Sequence, residues 1–129
     1  MLEVVLLALA GLLVALGAGH FVTNWFHGYL TDRSGLKARS SAKRLPPWIT
    51  GTFERTLTFA LLASQFPDPH TVILAWLAAK FAANWQRDEP TGAPEAQMEY
   101  RSRAMIAVMS GIVSVAFGYV GGWIVTKHC

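Results

Sequence analysis

From Leu2 to Phe26 the chain runs with Glu3 as its one charged side chain. A helix needs roughly 20 consecutive apolar residues to cross a bilayer's hydrocarbon core. This run therefore predicts a spanning helix. A cleaved signal peptide begins with a positive segment, and this start carries Glu3 instead, so the helix is expected to be retained. The composition agrees. Hydrophobic residues make up 53% of the chain and charged residues 15%, and the mean hydropathy is positive at +0.34. Both depart from the soluble average towards membrane proteins. At 129 residues there is room for one domain of a few spans, and none for a soluble catalytic domain beside them.

Three further runs follow. Residues 48–65 and 71–86 are short, near the lower limit of about 17 residues for a span. Between them lies Phe66-Pro67-Asp68-Pro69-His70, and its two prolines end one helix and restart the next. The pair is expected to form a tight antiparallel hairpin. The last run, 104–126, has spanning length. Its helix is expected to start earlier, with Thr91 as cap, Pro94 and Glu95 in the first turn, and residues 95–103 as an extension outside the lipid. The fold expected is an all-α polytopic membrane protein, a single domain of four spans in a compact bundle. A three-span alternative makes the middle pair re-entrant. Trp48 and Trp85 weigh against it, because both sit where interface anchors belong.

Charge sets the orientation. Loop 31–47 holds Arg33, Lys37, Arg39, Lys43 and Arg44 against Asp32 alone, and loop 87–103 holds Arg87, Arg101 and Arg103. The hairpin link has no Lys or Arg. With four spans both basic loops share one side, which the positive-inside rule makes cytoplasmic, leaving both termini outside. Lys127 is the dissenting charge. The five cations of the first loop also suit anionic lipid headgroups, although fixing orientation explains them without a ligand. Nucleic acid is a poor partner, because a net charge of +3 is small and lies beside lipid.

Two patterns mark helix packing and buried charge. Ser110, Ser114, Gly118 and Gly122 repeat every four residues, a small-residue stripe that lets helix backbones approach closely. It serves either an intrachain contact, with Gly11, Ala15 and Gly19 of the first run as partner, or a seam between copies. Gly118→Leu is expected to disrupt the association. In the hairpin, Glu54 lies eleven positions before Gln65 and Lys80 nine after Thr71. At about 1.5 Å per residue they reach similar depth on antiparallel helices and can pair. Charges inside lipid usually face a partner or a water-filled cavity. Thr50, Glu54 and Thr58 share one face, and Lys80 and Asn84 share another. Arg55 points about 100° from Glu54 and is expected to snorkel to the headgroups. This set serves either as a fixed ion-pair lock or as a polar path with Glu54 as the titrating group.

His20, Asn24 and His27 share a face of the first helix. His20 and His27 are about 10 Å apart along the axis, too far to share a metal. Haem b held by His20 remains a third reading, with no good second ligand in the chain. No metal site is expected. The single cysteine excludes a disulfide within the chain. No nucleophile-elbow, zinc-protease, P-loop or dinucleotide motif occurs, so no enzyme is expected. Cys129, the last residue, does not match a prenylation signal.

Glu54-Arg55 at the head of an apolar helix, then Ala78-Ala79-Lys80-Phe81 in the next, resembles a family of bacterial inner-membrane proteins containing a domain of unknown function. A glycine-containing apolar helix follows in that family, as residues 105–123 do here. The resemblance covers about half the chain, from Thr50 onward, on short motifs. It departs after Lys80, where the family pattern continues with Ser. It implies architecture and a bacterial inner-membrane location. The classes carried forward are a non-enzymatic membrane subunit or homo-oligomer, a small ion or proton channel or transporter using Glu54 and Lys80, and a haem-binding anchor of a redox complex.

Overall fold

The computed structural model describes residues 2–36, 46–85 and 93–127. Four helices account for nearly all of them: α1 (Leu2–Arg33), α2 (Pro47–Ala63), α3 (Pro69–Trp85) and α4 (Pro94–Thr126). The protein is all-α. Two helices, α1 and α4, are long and apolar enough to cross a membrane. At 17 residues each, α2 and α3 are only about 25 Å long.

Local chemistry sets the ends. Both α2 and α4 begin with proline in the first turn, where its missing N–H costs nothing. Residue Ala93 is the cap of α4 and makes no side-chain bond, while Thr91 lies outside the described residues. Helix α1 continues past Phe26 to Arg33, and Gly35 then turns left-handed at φ +64°. Its N–H reaches Asp32 O and that of Leu36 reaches Thr31 O, the Schellman arrangement that satisfies terminal carbonyls. Helix α2 stops in the same way, but with Gln65 in the left-handed position at φ +53°. The prolines are thus only part of that turn. Asp68 then starts α3 by accepting from the Thr71 backbone N–H (3.3 Å) and hydroxyl (2.6 Å).

Within α1, Leu13–Ala18 form a π turn, and the Gly19 N–H reaches back to Val14 O. Its effect is rotational. Residues four apart drift by about 40° per step on an α-helix. The wider turn absorbs that drift, so that Gly11, Ala15, Gly19 and Thr23 are all buried.

Helix α4 is the axis of the bundle. Along α1, Gly11 meets Gly121, Gly19 meets Phe117 and His27 meets Ser110, so α1 runs antiparallel to α4. Along α2, Gly51, Thr58 and Leu62 meet Ser114, Gly118 and Gly122, so α2 runs parallel to it. Along α3, His70 meets Tyr119 and Lys80 meets Gly111, which makes α3 antiparallel. This up-down order puts the end of α1, the start of α2, the end of α3 and the start of α4 at one end of the bundle.

Helices α2 and α3 form the expected antiparallel hairpin, with Glu54 and Lys80 paired across it, but it is not tight. Helix α2 packs chiefly on α4 and only lightly on α3. The reason is the size of the facing residues. Gly118 admits the α2 backbone so closely that a Cβ there would stand 2.8 Å from Arg55 O. Towards α3, the rings of Phe53 and Trp76 hold the helices apart, with centroids 5.2 Å from each other.

Polarity is inverted relative to a soluble bundle. The most deeply buried large side chains are Arg55, Glu54, Thr58 and Ser114. Leu13, Phe21 and Leu74 are 70%, 75% and 65% exposed. Scattered exposed apolar residues are ordinary in soluble proteins, but a continuous apolar exterior is not.

Candidate functional site

All four helices contribute to one polar centre. Glu54 and Arg55 lie midway along α2, each 1% exposed. Consecutive helical residues diverge by about 100°, and here each direction has its own partner. Glu54 points towards α3, where Lys80 Nζ donates to Oε1 in an ion pair. Gly111 of α4 leaves the space, since a Cβ there would come within 2.8 Å of Lys80 Nζ. The Glu54 carboxylate is enclosed, while the Lys80 side chain keeps 17% exposure.

Arg55 points the other way, into the groove between α1 and α4. Its Nη1 donates to Gly19 O (3.3 Å), Thr23 Oγ1 (3.3 Å) and Ser114 Oγ (3.2 Å), and its Nη2 to Thr52 Oγ1 (3.2 Å). Ser114 passes its own proton to Gly51 O at 2.8 Å. The expectation that Arg55 snorkels outward is therefore overturned. Four neutral oxygens inside the bundle replace its water shell, so it has no need to leave. Two polar atoms of this centre have no hydrogen-bond partner: Glu54 Oε2 and Arg55 Nε.

Around the centre, Thr58 is 2% exposed and packs its Cβ where Gly118 has none. Thr50 is half-buried. Asn84 sits one turn beyond Lys80, and its backbone carbonyl accepts from Tyr100 OH at 3.0 Å. His27 shares a hydrogen bond with Ser110 Oγ at 3.2 Å. His20 lies on the outer surface and bonds Asn24 at 3.0 Å. His70 bonds Tyr119 OH at 3.3 Å. Among the described residues no three His, Cys, Asp or Glu side chains are grouped to hold a metal.

The small-residue stripe is spent within the chain. Ser110, Ser114, Gly118 and Gly122 are all buried. Ser114, Gly118 and Gly122 face α2, whereas Gly121 is the residue that faces Gly11 and Ala15 of α1. Partnership of the whole stripe with α1, and its use as an open seam between copies, are both corrected by this packing. Trp48 is 52% exposed. The Trp85 side chain, Arg87, His128 and Cys129 lie outside the described residues. So do Lys37, Arg39, Lys43 and Arg44, while Arg33 donates to Tyr29 OH at 3.4 Å.

Sequence reasoning missed Thr23, Thr52 and Gly51 as members of the centre. Thr52 carries a usable signal, because it precedes Arg55 by three positions on the same helix face. Thr23 and Gly51 carry none, since they join it only through tertiary packing.

Comparison with known proteins finds no matching family model. No curated protein matches, and no solved structure does.

Proposed function

We propose that this chain is an integral membrane protein of the bacterial inner membrane, crossing it four times with both termini outside. In this reading it is a non-enzymatic subunit of a larger helical assembly, or of a homo-oligomer. The observation that carries the reading is the inverted polarity. Glu54 and Arg55 are enclosed at mid-helix while Leu13, Phe21 and Leu74 face outward. In water such an exterior would aggregate, whereas in lipid it is the solvated surface. The charged centre then acts as a lock. Ionised groups in a low-dielectric interior fix the helices that supply their partners.

The up-down order supports four spans, because the helix ends that border stretches 34–46 and 86–93 lie at one end. Those stretches, with the first turns of α4, carry most of the cations. Their excess of Lys and Arg marks that end as cytoplasmic. Arg33, Lys37, Arg39, Lys43 and Arg44 would meet anionic headgroups there. Since the small-residue stripe is internal, association with other chains would use the outer faces of α1 and α3.

Native mass spectrometry of protein released gently from its host membrane tests the subunit reading. A closed oligomer or a stable companion chain is expected. A bare monomer under conditions that preserve known membrane complexes would refute it.

A second reading, a small ion or proton pathway, is favoured by Glu54 Oε2, which has no partner beside a Lys80 that keeps 17% exposure. Ion flux into liposomes that disappears in a Glu54→Gln variant shown to remain folded supports it, and flux indistinguishable from empty liposomes removes it.

A further inference from the structure

Charge does not balance at the centre of the bundle. Glu54 is the one carboxylate there among the described residues, and it already faces Lys80. Arg55, equally enclosed, donates only to neutral oxygens: a carbonyl and three hydroxyls. Two cations thus share one anion. In the bilayer placement argued above, a fixed charge at this depth without a counter-charge is strongly disfavoured.

The donor inventory shows where the missing charge belongs. A guanidinium has five N–H groups in one plane. Nη1 spends its pair on Gly19, Thr23 and Ser114, and Nη2 gives one to Thr52. The Nε–H remains, buried and unpartnered, and one of the two Nη2 N–H groups lies along the same edge. That edge is the fork that holds anions through two parallel bonds. The glycines that flank this side chain lie on its other side, Gly19 against Cδ and Gly51 against Nη1, while Nε itself is shut off from the surface. A ligand of one atom, or a small planar group, suits such a space. Lys80 is the member of the charged trio with an opening to the outside, at 17% exposure.

We infer that the Nε/Nη2 edge of Arg55 binds a small monovalent inorganic anion of halide or nitrate size. Together with Glu54, this anion neutralises the two cations. The ligand selects for charge and size, and Thr52 orients the fork that receives it.

The test uses full-length protein in nanodiscs of zwitterionic lipid, with gluconate exchanged for chloride, bromide or nitrate at constant ionic strength. Membrane insertion is verified first by protection from an impermeant reagent, so that failed insertion and failed binding are read separately. Chloride-35 line broadening that saturates and is competed by nitrate is expected, with a rise in Tm over the same concentration range. Arg55→Gln is expected to abolish both effects. If that variant does not fold, Arg55→Lys keeps the charge without the fork and is expected to weaken nitrate at least tenfold. Broadening no greater than that of empty nanodiscs overturns the proposal. So does binding that survives in both Arg55 variants, which would assign the ion to the basic loop. A third overturning result is wild-type protein indifferent to anions, which would mean that Glu54 Oε2 closes on Arg55 Nε internally.

Discussion

Arg55 Nη1 and Ser114 Oγ lie 3.2 Å apart, and Ser114 donates in turn to Gly51 O at 2.8 Å. One serine of α4 thus ties two successive turns of α2 and holds a guanidinium that also reaches α1. Ser114→Ala removes both roles without adding bulk at this fully buried position. Leaving a charged donor short of one acceptor is expected to cost about 1–3 kcal/mol, the penalty for a buried polar group left unmatched. Reversible unfolding in mixed micelles reads this directly, with Ser114→Thr as the milder companion.

Breaking the Glu54–Lys80 pair from one side leaves an uncompensated charge in the core. Glu54→Gln is expected to destabilise by about 3–5 kcal/mol, as is usual for a buried pair that loses one partner. Removing both charges, as in Glu54→Gln with Lys80→Met, is expected to recover much of that loss. A double-mutant cycle measures the coupling. Additive effects would mean that the pair does not act as a unit.

Close packing along α4 makes a sharp distinction among glycines. A Cβ at Gly118 would stand 2.8 Å from Arg55 O and 2.9 Å from the Thr58 Cβ. Gly118→Ala is therefore expected to cost about 1–3 kcal/mol by overpacking, and Gly118→Leu is expected to prevent the bundle from closing. At Gly17 a Cβ meets nothing within 4 Å, so Gly17→Ala is expected to be neutral or slightly stabilising. Comparing the Tm values of the two alanine variants checks the geometry.

Acid dependence should come in part from the turn between α2 and α3. The Thr71 hydroxyl and backbone N–H, with His70 nearby, hold the Asp68 carboxyl below its ordinary value. A group whose folded pKa is depressed adds stability that is present above its unfolded value, near 3.9. That stability is lost as pH falls through the lower folded value. Asp68→Asn keeps an acceptor without the charge. It is expected to flatten the stability profile below about pH 4, relative to wild type. An unchanged acid branch would remove Asp68 from the account.

What the sequence carries follows from which interactions are local. The depth of Glu54 and Lys80 can be counted outward from the Pro67–Pro69 turn, because helical rise is constant. The small-residue stripe is visible as a spacing. Which helix it faces is not, because Gly118 and Gly121 are both small and only the third dimension separates α2 from α1. Arg55 misleads, since the snorkelling rule supposes lipid around a long cation, whereas this one meets oxygens from Gly19, Thr23 and Ser114. The π turn at Leu13–Ala18 carries no proline or charge to announce it. It becomes intelligible once Gly11, Ala15, Gly19 and Thr23 are seen on one buried line.

In the membrane reading, lipid surrounds a bundle whose charges point inward. Spin labels at Leu13, Leu74, Val120 and Met98, in a Cys129→Ser background, test it by collision with oxygen and with a water-soluble nickel chelate. The first three positions are exposed on the apolar stretches of α1, α3 and α4, and Met98 is exposed on the basic-end extension of α4. In bilayers Leu13, Leu74 and Val120 are expected to meet oxygen and exclude nickel, and Met98 to admit nickel. Nickel access at all four would contradict it, because the apolar exterior would then face water.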